Sequence, residues 1–195
     1  MQNQAMPLPR LFLVAPEAPA ALIAGCLKAA CAAGDVASLL LPVSLAKDIT
    51  PLAQSLNVAA LTIGEPRDAL RAGCDGLHVD ADGAGLRNLR AALGKTAILG
   101  AFAGASRHFA MEAAELGADY VAVTQSAKIG GEPILAWCAE MLEIPCVAFE
   151  PVDAAGLDIL LLQNPDFIRP ADAMWASVDA ASRIVGELTS RLHCA

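Results

Sequence analysis

The sequence predicts an α/β protein with one domain, folded as a single (β/α)8 (TIM) barrel. Short apolar runs rich in Val, Leu and Ala alternate with longer helical segments, and this order is typical of a parallel sheet with right-handed crossovers. About eight such strand–helix units follow one another within the 195 residues. Hydrophobic residues make up 56% of the chain, which suits strands that helices cover. Eight units favour a closed barrel.

Each predicted strand is a short apolar run that is followed by a segment with helical spacing. The expected strands are 11–15, 36–41, 59–63, 76–79, 97–100, 120–123, 145–149 and 167–169. The expected helices are 20–33, 45–56, 66–72, 85–93, 106–116, 133–142, 153–162 and 177–192. Residues 1–10 are expected to form a flexible N-terminal extension of the single domain 1–195.

Two repeated phrases support a barrel built from similar units. Arg71–Asp75 (RAGCD) and Glu115–Tyr120 (ELGADY) each place a Gly at the end of a helix and an Asp at the start of a strand. The alternative is a doubly wound open sheet. It has little support, because no Gly-x-Gly-x-x-Gly follows the first strand.

Composition limits the classes of function. Thirteen basic residues against twenty-one acidic ones give a net charge of −8, so nucleic acid, which requires a basic face, is not an expected partner. No apolar run approaches the roughly 18–20 residues needed to cross a membrane. Six cysteines show no Cys-x-x-Cys spacing, which indicates reduced thiols in a cytoplasmic protein. The high apolar content is compatible with a homodimer.

The chemistry of such barrels lies where strands end and the following loops begin. The polar residues expected at this end are Glu65, His78, Asp80, Asp82, Ser106, Arg107, His108, Lys128, Glu150, Arg169 and Asp172. Arg71, Asp75, Lys95 and Asp119 fall at the opposite end, where a structural role is expected.

Glu65, Asp80 and Asp82 are the candidate metal ligands. Carboxylate oxygens are what Mg²⁺ prefers, so the three residues predict a magnesium site. The alternative is a solvated turn in which Asp82 caps the next helix.

Four residues are candidates for binding a phosphorylated substrate. Lys128 lies in a Gly-containing loop and would contact an anionic group, or is simply an exposed lysine. Ser106 and Arg107 stand at the start of a helix, whose positive end attracts anions. Arg169 would bind substrate or balance Glu150 or Asp172 as an ion pair. His78 is expected to point into the barrel or towards a helix in a structural role, with catalysis as the alternative.

The middle of the chain carries an ordered set of phrases: Asp75–Val79 (DGLHV), Ile98–Gly100 (ILG), Glu115–Val121 (ELGADYV) and Ile144–Ala148 (IPCVA). This set resembles the thiamine phosphate synthase family, including its thiazole tautomerase relatives. The resemblance implies a transferase that joins hydroxymethylpyrimidine diphosphate to thiazole phosphate and releases diphosphate. It also implies magnesium on the departing diphosphate, and Lys128 in the place of the family lysine.

Other positions depart from the family pattern. Leu40–Pro42 (LLP) stands where the family has Arg-Glu-Lys, and Gly64–Pro66 (GEP) stands where it has Asn-Asp-Asp. Glu150–Val152 (EPV) stands where Gly-Gly-Ile surrounds a phosphate. A carboxylate repels phosphate there, and Pro151 has no N–H to offer. An alternative function is therefore a non-catalytic or repurposed small-molecule-binding barrel. A third is an isomerase that uses His108 or Glu150 as the acid–base group.

Overall fold

The computed structural model describes residues 7–81 and 85–194. The barrel strands are β1 (Arg10–Val14), β2 (Val36–Leu41), β3 (Ala59–Thr62), β4 (Gly76–Asp80), β5 (Ile98–Gly104), β6 (Tyr120–Val123), β9 (Cys146–Val152) and β10 (Phe167–Pro170). These eight strands are parallel and form a closed barrel in the order β1-β10-β9-β6-β5-β4-β3-β2. The predicted barrel is therefore confirmed, and the open sheet is wrong. Since β1 begins at Arg10, the predicted extension lies mostly in residues 1–6, outside the described residues.

Helices cover the outside of the barrel. They are α1 (Ala20–Ala33), α2 (Val43–Ser55), α3 (Pro66–Ala72), α4 (Leu86–Leu93), α5 (Arg107–Glu115), α6 (Ile134–Met141), α7 (Leu157–Leu161) and α8 (Val178–Leu192), with a 3-10 helix at Asp172–Ala176. In α8 the buried residues Ala181, Ile184, Val185 and Leu188 recur at the spacing of one helical face. Within the described ranges, no helix is long and apolar enough to cross a membrane.

A β-hairpin between β6 and α6 was not predicted. β7 (Lys128–Ile129) pairs antiparallel with β8 (Glu132–Pro133). Gly130 and Gly131 form the two-residue turn with φ of 65° and 89°, and such turns require positive φ at both positions. Lys128, predicted to lie in a loop, is therefore held on a short strand.

The predicted helix 153–162 is shorter in the structure. The Asp153 carboxylate accepts the backbone N–H groups of Ala155 and Gly156, at 3.1 and 3.0 Å. This side-chain turn competes with helix formation. The helix consequently begins only at Leu157.

Aspartates join neighbouring strands at the amino-terminal end of the barrel. Three carboxylates each accept a strand N–H at 2.7 Å: Asp75 from Ala60, Asp119 from Leu99, and Asp166 from Cys146. Gly73 and Gly117, with φ of 70° and 91°, reverse the chain before two of these aspartates. This geometry explains the repeated Gly-x-Asp phrases and supports the structural role expected of Asp75 and Asp119.

The hydrophobic core has two parts. A large cluster fills the space between the strands and the helices, and it includes Leu39, Leu77, Val121 and Ile134. A smaller cluster lies among the inward-facing side chains Phe12, Leu40, Leu61, Tyr120, Ala122 and Val147. The interior of the barrel is thus packed with side chains. All six cysteines are free thiols, as the spacing predicted.

Candidate functional site

The candidate residues gather where the barrel strands end. Asp80 is the last residue of β4, Glu150 lies two residues before the end of β9, and Arg169 lies one residue before the end of β10. Ser106 and Arg107 stand at the start of α5, just after β5. Because the barrel strands are parallel, these residues occupy one end of the barrel. That end is where barrel enzymes place their active sites.

Glu65 and Asp80 line the same cavity, which has a volume of about 570 Å³. Asn88 of α4 also lines it. Glu65 is held at the start of α3, where its backbone N–H donates to the Asp68 carboxylate at 3.2 Å. Two carboxylates and an amide oxygen are hard oxygen donors of the kind that suits Mg²⁺, which keeps several water ligands in proteins. The donor set fits the ion.

The third predicted ligand, Asp82, lies outside the described residues. Across 7–81 and 85–194, no group of three or more His, Cys, Asp or Glu side chains is placed to hold a metal. The structure thus brings together two of the three predicted ligands, and the magnesium site stays a prediction.

Glu150 is fixed by the loop that follows β6. Its carboxylate accepts the Ser126 N–H at 2.7 Å and the Ser126 hydroxyl at 2.8 Å. The Gln125 side chain accepts the Glu150 N–H at 2.8 Å and donates to the Glu150 carbonyl at 2.7 Å. Four hydrogen bonds therefore bind the end of β9 to this loop. Gln125, Ser126 and Glu150 also line a cavity of about 270 Å³.

Arg169 forms the ion pair that the sequence offered as one of its two roles. Its guanidinium donates to both Asp172 oxygens, at 2.8 and 3.0 Å, and to the Phe149 carbonyl at 3.2 Å. It also lies over the Phe149 ring, 5.4 Å from the ring centre. The partner is Asp172 and not Glu150. Three hydrogen bonds of Arg169 are thus made within the protein, while its Nε is buried and has no partner among the described residues.

Arg107 connects α5 to the hairpin. It forms an ion pair with Glu132 and donates to the Ile129 carbonyl. The guanidinium also lies 4.9 Å from the centre of the Trp137 ring. Ser106 caps α5, since its hydroxyl oxygen accepts the Phe109 N–H at 3.2 Å. Both residues have a structural partner at the position where the sequence predicted substrate binding.

The remaining two candidates are exposed. Lys128 is exposed on β7. The His108 side chain is 80% exposed and approaches Glu112 at 3.9 Å. Binding by Lys128 and catalysis by His108 stay predictions.

His78 lies inside the barrel, in the hydrogen-bonded position that the sequence predicted. A 2.7 Å hydrogen bond joins His78 Nδ1 to the Tyr120 hydroxyl. The ring stacks between Tyr120 and Phe149, with centroid distances of 5.7 and 5.1 Å. Burial lowers the His78 pKa to about 4 and raises that of Tyr120, so both groups are neutral at pH 7. His78 Nε2 is buried and finds no partner among the described residues.

Gln125, Ser126 and Tyr120 were not selected from the sequence. Gln125 and Ser126 carried a signal, because two polar residues follow a buried strand at the end where chemistry is expected. Their role becomes visible only when β6 is seen to pair with β9. For Tyr120, the structure shows that it lies in register with His78, with Gly100 of β5 between them.

Comparisons with known proteins agree with this fold. The family model described as thiamine monophosphate synthase matches residues 40–162. A thiamine-phosphate synthase of Rhodospirillum centenum is 37% identical, and the match covers 85% of this chain and 89% of that protein. A thiamine-phosphate synthase of Hyphomonas neptunium is 31% identical, with 95% of each chain covered.

Solved structures share the barrel at lower identity. Thiamine phosphate pyrophosphorylase from Pyrococcus furiosus superposes with a TM-score of 0.77 at 16% identity, over 94% of this chain and 95% of that one. A 3-hexulose-6-phosphate synthase from Salmonella typhimurium gives 0.74 at 14% identity, over 95% and 99%. At these identities the likeness shows the fold alone.

Proposed function

Since the chain belongs to the thiamine monophosphate synthase family, we propose that it is a transferase that acts on a phosphorylated small molecule. In the proposed reaction, a thiazole displaces diphosphate from a hydroxymethylpyrimidine. The observation that best supports this is the cavity shared by Glu65 and Asp80. Two carboxylates from neighbouring barrel units line this cavity, and carboxylate oxygens are suited to a diphosphate-bound Mg²⁺.

The proposed reaction breaks one bond and forms another. The methylene C–O bond of the pyrimidine breaks, and its electron pair leaves with the diphosphate. The lone pair of the thiazole nitrogen then forms the new C–N bond, and the product carries the positive charge as a thiazolium. No proton moves in these steps. A neutral His78–Tyr120 pair inside the barrel is compatible with such chemistry, because no general base is required.

Each residue has a limited task in this scheme. Glu65 and Asp80, with Asp82, would hold Mg²⁺, and the ion when bound would neutralise the departing diphosphate. Lys128 on the hairpin would supply a further positive charge. Phe102 and Phe149, with ring centres 5.0 Å apart, would keep water from the electron-poor pyrimidine carbon.

The proposal is tested by supplying the pyrimidine diphosphate, Mg²⁺ and either thiazole phosphate or thiazole alcohol, and detecting the coupled product by mass spectrometry. Glu65→Gln and Asp80→Asn should each lower kcat at least about tenfold and raise the Mg²⁺ concentration needed for half-maximal rate. Glu140→Gln, which changes an exposed acidic residue on α6, is the control. It should leave kcat and the Mg²⁺ concentration for half-maximal rate unchanged. Variants at Glu65 and Asp80 with wild-type rates would contradict the metal role.

A second candidate is a binding protein without catalysis. It is favoured by one observation: Ser126 and Arg169, which would be donors to a ligand, already bind Glu150 and Asp172. If no coupled product forms from either thiazole at enzyme concentrations comparable to substrate, this candidate replaces the first. The cytoplasmic location and the homodimer stay predictions.

A further inference from the structure

The corner of the barrel formed by its last two strands is the usual place for a phosphate. In (β/α)8 barrels the loops after the seventh and eighth strands often bind phosphate groups, together with a short extra helix. Here these strands are β9 and β10, and the 3-10 helix Asp172–Ala176 follows them. The side chains that this corner offers therefore decide whether a phosphate is accepted.

Most of the anion-binding groups at this corner bind the protein's own carboxylates, while Arg169 Nε is buried without a partner among the described residues. Ser126 directs its N–H and its hydroxyl at Glu150, at 2.7 and 2.8 Å. The guanidinium of Arg169 donates to both oxygens of Asp172, at 2.8 and 3.0 Å. Pro151, next to Glu150, has no N–H to add. A phosphate would have to displace a carboxylate before it could gain any of these hydrogen bonds.

Glu150 is not free to move aside. Gln125 binds both the N–H and the carbonyl of Glu150, at 2.8 and 2.7 Å, so the backbone that carries the carboxylate is held in place. A phosphate entering the same cavity would meet the negative charge of Glu150, whose carboxylate Ser126 also holds, and like charges a few ångströms apart repel each other.

One hydrogen-bond acceptor that lines the same cavity has no partner among the described residues. The cavity of about 270 Å³ is lined by Glu150 and also by Gln163. The Gln163 side-chain oxygen is buried and has no partner among the described residues. Buried polar atoms are nearly always hydrogen-bonded, so this oxygen is suited to accept a hydrogen bond from a ligand with a donor. A hydroxyl group provides one, and a phosphate dianion does not.

From these contacts we propose that Glu150, supported by Asp172, determines specificity by excluding phosphate from this corner, so that the thiazole acceptor is the neutral alcohol and not its phosphate ester. The hydroxyl of the alcohol donates to Glu150 or to Gln163. The bond-forming step is unchanged: the C–O bond to diphosphate breaks, the thiazole nitrogen forms the C–N bond, and the product lacks a phosphate. This inference rests on the proposed transferase function and narrows its substrate.

The first experiment compares the two acceptors under identical conditions. With pyrimidine diphosphate and Mg²⁺, the wild-type protein should show kcat/KM at least about tenfold higher for thiazole alcohol than for thiazole phosphate. Glu150→Gln removes the charge at nearly constant size and should reduce or reverse this preference. Glu143→Gln removes an exposed carboxylate that precedes β9, and this variant should keep the wild-type preference for thiazole alcohol. A wild-type preference for thiazole phosphate would overturn the proposal.

The second experiment needs no catalysis. Inorganic phosphate is titrated into wild-type protein, Glu150→Gln and Glu143→Gln, and binding is followed by calorimetry. Phosphate should bind Glu150→Gln at least about tenfold more tightly than the other two. Equal affinity in all three would overturn the exclusion of phosphate even if the enzyme is active. Absence of product from both thiazoles, together with tighter phosphate binding by Glu150→Gln, would refute the transferase function and retain the charge-exclusion role of Glu150.

Discussion

Buried His78 should make the stability of the fold depend on pH. The side chain is 5% exposed, and burial lowers its pKa from 6.5 to about 4. In the unfolded chain the ring takes up a proton as the pH falls through 6.5, whereas in the folded barrel it resists protonation until about pH 4. Between these values the unfolded state binds more protons, so the free energy of unfolding must decrease as the pH falls.

The size of the effect follows from the two pKa values. With 6.5 and about 4, His78 should lower the free energy of unfolding by about 2 kcal/mol between pH 7 and pH 5, at 1.36 kcal/mol per pKa unit. Its full contribution, below the folded pKa, would be about 3 kcal/mol. The pH range from 7 to 5 is the informative one, because most carboxylates stay ionised there.

The assay is urea unfolding at pH 7, 6 and 5. The wild-type protein should lose stability over this range, and His78→Gln should lose about 2 kcal/mol less. His108→Gln is the matched control, because its imidazole is 80% exposed, and it should follow the wild type. Tyr120→Phe removes the hydrogen bond but leaves His78 buried, so it should keep the wild-type pH dependence.

One result would refute the reasoning. If His78→Gln shows the same dependence on pH as the wild type, His78 does not resist protonation in the folded state. The ring would then have a proton acceptor or water that the hydrogen bond to Tyr120 and the stacking on Phe149 do not provide.

Two further changes test the packing. A Cβ at Gly100 would lie 1.9 Å from a ring carbon of Tyr120, so Gly100→Ala should lower the free energy of unfolding by about 2–3 kcal/mol in urea. Gly186→Ala on α8, whose Cβ would meet no atom of the described residues within 4 Å, should raise it by up to about 1 kcal/mol. Equal effects of the two changes would contradict the close approach of Tyr120 to Gly100. Asp119→Ala leaves the Leu99 N–H without its 2.7 Å acceptor and should cost about 1–3 kcal/mol by the same assay, and an unchanged midpoint would refute the strand-joining role.

The barrel could be predicted because its signal is local and repeated. Each unit carries an apolar run, a helical spacing and, in two of them, a Gly-x-Asp phrase whose function is to reverse the chain and join strands. The hairpin escaped prediction because its strands have two residues each, too few for a hydrophobic alternation. Only the Gly130–Gly131 pair indicated it.

The positions of the candidate residues could be predicted, but not which side chains bind each other. The sequence placed Glu150 and Arg169 at strand ends, and the structure agrees. It could not show that Glu150 binds Ser126, because this contact depends on β6 lying beside β9 across the intervening hairpin. Nor could the sequence show whether Glu150 or Asp172 is the partner of Arg169. Both are carboxylates that can pair with its positive charge, and only the geometry identifies Asp172.

The most direct test of the central claim is diphosphate release. Purified protein is mixed with hydroxymethylpyrimidine diphosphate and Mg²⁺, with and without a thiazole acceptor, and diphosphate and coupled product are both measured. The family membership and the cavity shared by Glu65 and Asp80 predict one diphosphate per coupled product, dependent on the thiazole and on Mg²⁺. Diphosphate release no faster than in the protein-free mixture, with no coupled product, would contradict the claim.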